Sequence, residues 1–162
     1  MRKFLFAAFF AFATLSGVGC SDDYNAPAVT RSDFEMRYPT ATHVEWEKKK
    51  GYGVAEFILD GRECEAWYTK SGEWVMTRFE IRYNELPDAV RVAFEQSYGT
   101  QTPIDDIERL ERNDNTTIYY IQAETVVDGF PSEINLEYSP DGTLLRNTVD
   151  VEYFDYWDDY LL

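Results

Sequence analysis

An internal repeat is the sequence feature that most limits how this chain can fold. The segment Phe34-Glu35-x-x-Tyr38 recurs 60 residues later as Phe94-Glu95-x-x-Tyr98, and Val44 is matched by Ile104 at the same offset. Glycine turns follow each copy in the same order: Asp60-Gly61 and Ser71-Gly72 in the first, Asp128-Gly129 and Asp141-Gly142 in the second. Because chance turn spacing would not keep one order of elements twice, the sequence predicts two copies of one supersecondary unit.

Each copy reads as a helix followed by four strands. The first predicted helix has Thr30 as its N-cap, with Asp33 in an acidic capping box, and ends before Pro39; the second begins at Pro87 and ends at Gly99. The predicted strands are His43–Lys48, Tyr52–Leu59, Arg62–Thr69, Glu73–Glu80, Ile104–Arg112, Thr116–Thr125, Ser132–Tyr138 and Thr143–Asp150. Strands joined by tight hairpins pair antiparallel. We therefore predict an α+β fold of tandem duplicated α-β4 units, about residues 30–81 and 82–150, with helices on one face of an antiparallel sheet and an open opposite face.

The first 20 residues predict export and lipid attachment. A basic start, an uncharged run from Phe4 to Leu15 and small residues before Cys20 have the layout of a secretory signal, and the run is too short to span a bilayer. The small residues before Cys20 resemble the bacterial lipoprotein processing site, although Gly17 stands where an aliphatic residue is usual. We expect a signal peptide at 1–19, a lipidated Cys20 and a tether to residue 29. Ordinary cleavage that leaves Cys20 as a plain thiol is the alternative.

Location follows from that anchor. Residues Ser21-Asp22-Asp23 resemble the serine-plus-acid stretch that sends Bacteroidetes lipoproteins to the outer face of the outer membrane, but they also suit a solvated linker. We expect an outer membrane lipoprotein, periplasmic or surface-exposed, that meets the membrane through its lipid alone.

The charge of the mature chain excludes one class of partner. From residue 20 onward, 13 Lys and Arg stand against 30 Asp and Glu, a net charge of −17. Nucleic-acid binding depends on clustered Lys and Arg at the phosphates, so this field repels nucleic acid and attracts basic proteins or peptides. Aromatic residues make up 17% of the chain and recur in periodic segments, which indicates a folded domain rather than an acidic disordered one.

The sequence contains few residues that could form a catalytic or metal site. The single histidine, His43, has no serine or cysteine near it in sequence, and Cys64 lies between Glu63 and Glu65, which would raise the pKa of its thiol. We read both as structural residues. No EF-hand spacing is present among the acids, and zinc would need more Cys and His. We expect no enzyme activity, no cofactor and no metal.

Aromatic side chains on the strands are the remaining signal of function. Trp and Tyr supply most interface hot spots, and acids surround them here. The partner-binding residues that we predict are Trp46, Tyr52, Trp67, Trp74 and Tyr119. The alternative is a second buried layer, formed if the aromatic and acidic segment 151–162 covers the face. That segment reads equally as a covering strand or as a tail that docks into a partner.

Neighbouring Trp67 and Tyr68 must point to opposite faces of their strand. Tyr68 shares its face with the small apolar Ala66, whereas Trp67 shares its face with Glu65. We therefore predict that Tyr68 packs in the core and Trp67 faces outward.

These residues together carry a family likeness. The motifs are Phe34-x-x-x-Tyr38-Pro39, Val44-x-Trp46, Tyr52-x-x-x-Glu56-Phe57, Gly61-x-Glu63-x-Glu65-Ala66-Trp67-Tyr68, Gly72-x-Trp74 and Leu86-Pro87-x-x-Val90-x-x-Ala93-Phe94. Over about residues 30–150 the chain resembles the PepSY-like proteins of Bacteroidetes, related in fold to β-lactamase inhibitory protein. The resemblance implies an open sheet whose concave side binds a protein, and it implies no catalytic residues. We therefore expect a non-enzymatic envelope binding module, such as a protein or peptidase inhibitor, or else a structural or accessory lipoprotein of a glycan or nutrient capture complex.

Overall fold

The computed structural model describes residues 24–127 and 130–149. The helices and strands in chain order are α1 (Ala28–Arg37), β1 (Thr42–Lys49), β2 (Tyr52–Leu59), β3 (Arg62–Tyr68), β4 (Trp74–Glu80), α2 (Asp88–Tyr98), β5 (Ile104–Arg112), β6 (Thr117–Val127), β7 (Phe130–Tyr138) and β8 (Leu144–Val149). A short 3₁₀ helix at Tyr83–Glu85 joins β4 to α2. The predicted signal and Cys20, the turn Asp128-Gly129 and residues 150–162 lie outside the described residues.

All eight strands form one antiparallel sheet in the order in which they occur along the chain, so β1 and β8 are its two edges. Both helices pack on the same face of the sheet, because the apolar residues of α1 and α2 belong to a single buried cluster. The α+β prediction of two α-β4 units on an open antiparallel sheet is confirmed.

The main core lies between the helices and the sheet. Phe34 of α1 and Phe94 of α2 are each buried at its centre, 3% and 1% exposed. Alternate strand residues point toward them, since side chains along a strand alternate between the two faces. The strand residues of this core are Ala55, Phe57, Cys64, Ala66, Tyr68, Phe79, Ile107, Ile121, Ala123, Ile134, Leu136 and Tyr138.

The hairpins after β3 and β7 show the repeat at atomic detail. In the first, the Gly72 amide donates to the Thr69 carbonyl; in the second, the Gly142 amide donates to the Ser139 carbonyl, at 3.0 and 2.9 Å. Both glycines have positive φ, +89° and +83°. Each also lies under the first turn of the helix of its own unit. A Cβ at Gly72 would come within 2.7 Å of Thr30 Oγ1, and one at Gly142 within 2.5 Å of the Ala89 carbonyl oxygen.

The helix starts differ from the prediction. Helix α1 begins two residues before Thr30, which is not its N-cap; the Thr30 side chain is buried against Gly72 instead. Pro87 occupies the N-cap position of α2 rather than its first helical position. In both helices a proline with extended ψ stands before the first turn, and neither has a side-chain cap.

Candidate binding face

A second apolar cluster lies on the sheet face opposite the helices. Its buried members come from β2 to β6 and are Val54, Trp67, Met76, Leu110, Ile118 and Tyr120, with Tyr52 and Val75 packed at its edge. None of the six is more than 7% exposed. We call this set, with the polar residues described next, the binding face. A two-layer protein has one apolar layer between its helices and its sheet, and this second cluster lies outside that layer.

Arg78 on β4 is the centre of an ion-pair network on this face. Its guanidinium donates from Nε and Nη2 to both carboxylate oxygens of Glu108, and from Nη1 to Glu65 Oε2 at 2.8 Å. The pair with Glu108 is bidentate and almost fully buried, since each side chain is 9% exposed. Planar bidentate pairing of this kind fixes geometry as well as charge.

The network continues to the edge of the sheet. Lys49 Nζ lies 2.6 Å from Glu56 Oε1 and 3.1 Å from Glu65 Oε1, and the Trp67 indole N–H donates to Glu65 Oε2 at 3.1 Å. Partial burial opposes the charge of Lys49, but the surrounding carboxylates outweigh it and raise the pKa of its ammonium group. Glu65 therefore joins the apolar cluster to the charged network, because it binds Trp67, Arg78 and Lys49 together.

For Glu108, in contrast to Lys49, burial outweighs the neighbouring opposite charge. Desolvation disfavours its carboxylate and raises the pKa of Glu108 to about 8, although the adjacent Arg78 charge works to lower it. Asp106, next along β5 on the same face, has a pKa raised by burial as well. Strand β5 therefore holds the charged forms of two neighbouring acids on this face at an energetic cost, which the Arg78 charge partly offsets.

The other half of the face is polar and hydrogen-bonded. Tyr120 donates its hydroxyl to Asn135 Oδ1, and Gln122 donates to Glu133 Oε1 at 2.6 Å. Tyr120, Asn135 and Glu137 are all buried. The face thus combines an apolar centre with ordered polar groups that could fix the orientation of a ligand.

The structure separates the five aromatic residues predicted to bind a partner. Trp46, Trp74 and Tyr119 pack against the core under the helices. The Trp46 ring lies 5.5 Å from the ring of Phe34, and the Trp74 ring lies under the Arg37 guanidinium at 4.3 Å. Tyr52 and Trp67 lie on the binding face, with ring centroids 6.2 Å apart. The expectation of one outward aromatic row therefore does not hold for the three on the helix side.

The prediction for Trp67 and Tyr68 is half right. Tyr68 lies in the core under the helices and Trp67 points to the opposite face, as expected from Ala66 and Glu65. Trp67, however, is only 4% exposed. The sequence therefore predicts the face to which Trp67 points, but it does not predict that the side chain is buried there.

Cys64 lies in the core at the helix side, where burial raises the pKa of its thiol to about 11. The cause differs from the one inferred from sequence, because desolvation is the largest effect and the neighbours Glu63 and Glu65 point to the other face. A small cavity of about 250 Å³ adjoins Cys64, with Arg62, Arg109 and Glu85 in its wall. This is below the size of most ligand pockets.

The raised pKa gives a testable result for Cys64. Only the thiolate reacts with iodoacetamide, so the folded protein should react very slowly at pH 8, and the rate should rise with pH toward 11. Mass spectrometry of labelled protein measures this, and protein unfolded in guanidinium serves as the control that reacts at once. Rapid labelling of the folded protein at pH 8 would show that the thiol is neither buried nor shifted.

The described part of the chain contains neither a metal-binding cluster nor a helix that could span a membrane. Within residues 24–127 and 130–149, no cluster of three or more His, Cys, Asp or Glu side chains is placed to hold a metal ion. No helix in the same part of the chain is long and apolar enough to cross a membrane.

Comparison with known proteins shows the class to which this fold belongs. Residues 50–146 match the PepSY-like family, which is described as β-lactamase-inhibitor-like, and the chain belongs to this family. The family likeness inferred from sequence is confirmed.

Several solved structures share the fold. A BLIP-like protein from Bacteroides fragilis is 30% identical with a TM-score of 0.70 and covers 80% of this chain and 89% of its own. A DUF2874 family protein from Bacteroides ovatus is 25% identical with a TM-score of 0.75, covering 86% and 99%. A protein from Bacteroides eggerthii described as periplasmic is 26% identical with a TM-score of 0.70, covering 78% and 90%. No curated protein matches the chain.

Proposed function

We propose that this protein is a non-enzymatic binding module of the cell envelope that holds a protein or peptide partner on the binding face. The observation that carries the proposal is the second apolar cluster on the sheet face without helices. Buried Trp and Tyr side chains beside a ring of polar groups have the composition of an interface centre. The β-lactamase-inhibitor-like description of the family supports the same reading and adds an inhibitory role as its specific form.

Charge favours a basic partner. The binding face carries Glu56, Glu65, Asp106, Glu108 and Glu137 against fewer cations, and the whole mature chain is strongly acidic. Such a field accelerates the approach of basic proteins or peptides and repels nucleic acid. A partner of this kind would be bound more weakly as ionic strength rises.

The second candidate function is an accessory lipoprotein of a surface complex for glycan or nutrient capture. It differs from an inhibitor in behaviour. An inhibitor binds one soluble enzyme and changes its rate, whereas an accessory protein co-purifies with membrane components and changes no rate. A pull-down from envelope extract with the chain from residue 21 onward, followed by rate measurements on what is captured, separates the two.

Trp67 gives the sharpest test of the binding face. Changing Trp67 to alanine should weaken partner binding by about 2 kcal/mol or more, because central aromatic residues dominate interface energies. Titration calorimetry against the captured partner measures this. The matched control is Trp74→Ala, which removes a tryptophan from the helix side, where no partner is proposed. Equal affinity of Trp67→Ala and the unchanged protein would remove this face from the proposal.

Anchoring is proposed at Cys20, and the periplasmic description of the Bacteroides eggerthii relative supports an envelope location. The acyl chains supply the membrane affinity and the acidic domain supplies none. The Cys20→Ala protein should therefore move from the membrane fraction to the soluble fraction. Fractionation with immunoblotting measures this, with Ser21→Ala as the matched control. A Cys20→Ala protein that stays in the membrane fraction would mean that lipid is not attached at this residue.

A further inference from the structure

We infer that one end of the first α-β4 unit lies against the anionic phosphates of lipid head groups in the membrane that holds Cys20. This surface, which we call the basic end, is formed by Tyr24, Val29, Arg31, Lys48 and Lys70. The inference goes beyond the binding face, and it rests on the proposed lipid anchor for its biological meaning. The lipid holds the protein on the membrane, and the basic end sets the orientation of the domain there.

Two neighbouring turns bring the lysines of the basic end together. Lys70 lies in the β3–β4 turn, and its Cε is 3.8 Å from the place that a Cβ would take at Gly51 in the β1–β2 turn. The Lys48 ammonium lies 5.2 Å from the centre of the Tyr24 ring, and that ring packs on Gly53. The first described residue of the chain is therefore in contact with the same end of the sheet as both lysines.

Helix α1 begins at this end as well. Val29 in its first turn packs on Gly72 of the β3–β4 turn, yet Val29 is 63% exposed. The Arg31 side chain donates to the Asn25 carbonyl oxygen of its own side chain. The first turn of α1 contains no acid and has no side-chain cap. The positive end of the helix dipole therefore adds to the charge of the basic end.

The three cations of the basic end are exposed and lack acidic partners. Within residues 24–127 and 130–149, Arg31, Lys48 and Lys70 form no salt bridge. Eight other cations in these ranges do form salt bridges: Arg37, Lys49, Arg62, Arg78, Arg91, Arg109, Arg112 and Arg146. In a chain with 30 acidic residues, three neighbouring cations without a carboxylate leave one end able to attract an anionic surface.

The second unit shows that the fold does not require a basic end. Arg91 of α2 corresponds to Arg31 at the offset of 60, but Arg91 forms a salt bridge with Asp88, and α1 has an alanine at the position that matches Asp88. Aligned on the turn glycines, Pro140 of the β7–β8 turn stands in the place of Lys70. The unpaired cations are thus a property of the unit that follows the anchor.

The chain between the anchor and the basic end is short. Four residue steps join Cys20 to Tyr24, so their Cα atoms lie at most about 14 Å apart at about 3.6 Å per residue. A lipidated Cys20 lies at the membrane surface, because its acyl chains are in the bilayer. The tether therefore keeps the basic end close to the head groups by any path that it takes.

Charge then selects one orientation of the tethered domain. Each Lys or Arg near anionic head groups favours the contact about five-fold, so three favour it about a hundred-fold. Exposed Val29 and the partly exposed Tyr24 ring suit the boundary between head groups and water. The mature chain as a whole has a net charge of −17 and is repelled by the same membrane, so the basic end orients the domain without replacing the anchor. With this end down, the strands stand on the membrane and the binding face stays clear of lipid.

Energy transfer on vesicles tests the orientation. The chain from residue 21 to its natural end carries an N-terminal histidine tag that binds a nickel-chelating lipid, so tethering does not depend on Cys20. A donor dye is attached at the basic end in Ser71→Cys or at the opposite end of the sheet in Asn84→Cys, and the acceptor is a head-group dye. Burial raises the pKa of the native Cys64 thiol to about 11, so the dye reacts with the introduced cysteine. The vesicles are neutral phosphatidylcholine, with or without about 30 mol% phosphatidylglycerol.

The ratio of transfer from position 71 to transfer from position 84 reports the orientation, and on neutral vesicles it measures the tether alone. Anionic lipid should raise this ratio about two-fold or more, and high salt should remove the rise. The triple variant Arg31→Gln/Lys48→Gln/Lys70→Gln should abolish the rise, because it removes all three unpaired cations. Residues Asp22 and Asp23 are present in every arm, so their repulsion cancels in the comparison.

A single substitution with a matched control keeps the test decisive if the triple variant loses its fold in circular dichroism. Lys70→Gln should reduce the rise, whereas Arg82→Gln, which removes an exposed cation at the opposite end, should leave it unchanged. The same ratio on neutral and anionic vesicles overturns the inference, and so does a full rise in the folded triple variant. The proposed anchor fails separately, when the Cys20→Ala protein stays in the membrane fraction while the vesicle result is as expected.

Discussion

Replacing Phe34 or Phe94 with alanine should lower the free energy of unfolding by about 3–5 kcal/mol in each case, since both rings are almost fully buried. The two residues occupy equivalent places in the repeat. Phe34 lies 5.3 Å from the Tyr38 ring and Phe94 lies 5.5 Å from the Tyr98 ring, each pair one helical turn apart. Each phenylalanine holds its own helix on the sheet, so the two losses should be of similar size.

Urea denaturation followed by circular dichroism measures both losses. Met36→Ala on α1 and Val92→Ala on α2 are the controls, because these side chains are exposed on the same helices and should cost less than about 0.5 kcal/mol. Losses under 1 kcal/mol at both phenylalanines would remove the packing argument for the repeat. A large loss at only one of them would mean that the two helices are not equivalent.

The strand and turn framework could be predicted from the sequence because its signals are local. The predicted bounds of β2 and β5 agree with the structure at both ends. The turns at Gly61, Gly72 and Gly142 contain glycines with positive φ, a conformation that other residues rarely adopt. The sequence does not predict the start of α1 for a tertiary reason: Thr30 packs against Gly72 rather than capping the helix, and that contact joins residues 42 apart.

The face of each aromatic residue was harder to predict. Aromatic residues occur at both odd and even positions along the strands. The alternation of side chains within one strand therefore separates Trp67 from Tyr68, but it does not show which aromatic residues of other strands share a face with either. A bulge in the β3–β4 pairing then shifts the register, so that Tyr68 pairs with Trp74 while Trp67 pairs with Met76. This places Trp74 on the helix side, a result that depends on cross-strand register rather than on any local pattern.

The Arg78 network was not predictable for a related reason. With 30 acidic residues in the chain, the partner of any one arginine depends on strand order and register. Strands β4 and β5 are neighbours in the sheet but are joined through α2, so the sequence holds no hairpin signal to align them. Only the observed pairing of Arg78 with Leu110 and of Glu80 with Glu108 brings the guanidinium against Glu108.

Removing the charge of Arg78 should be among the most costly single changes in the protein. In Arg78→Met the side-chain volume is largely kept, but Glu108 loses its cation, and at pH 9, where Glu108 is ionised in the unchanged protein, the expected loss in free energy of unfolding is about 3–5 kcal/mol. Glu65 suffers less, because Lys49 and the Trp67 indole still bind it. The double variant Arg78→Met/Glu108→Leu should lose less than Arg78→Met alone, because it removes the stranded charge as well.

The loss should also depend on pH, and the sign follows from Glu108. Arg78 is the main group that lowers the pKa of Glu108, whereas burial, Asp106 and Glu65 raise it. Without Arg78 the pKa of Glu108 rises further above its value in the unfolded chain, so the carboxyl takes up a proton at low pH and the stranded charge disappears. Since the pKa of Glu108 is about 8 with Arg78 present and higher without it, the cost of Arg78→Met should be nearly constant from pH 5 to 7 and should grow as the pH rises above about 8, measured by urea denaturation at each pH. Arg37→Met, which removes a half-exposed ion pair with Asp33, should cost about 1 kcal/mol or less across that range. A cost for Arg78→Met that is as small as this, or that does not grow above pH 8, would mean that Glu108 is in contact with water and is not the buried partner of Arg78.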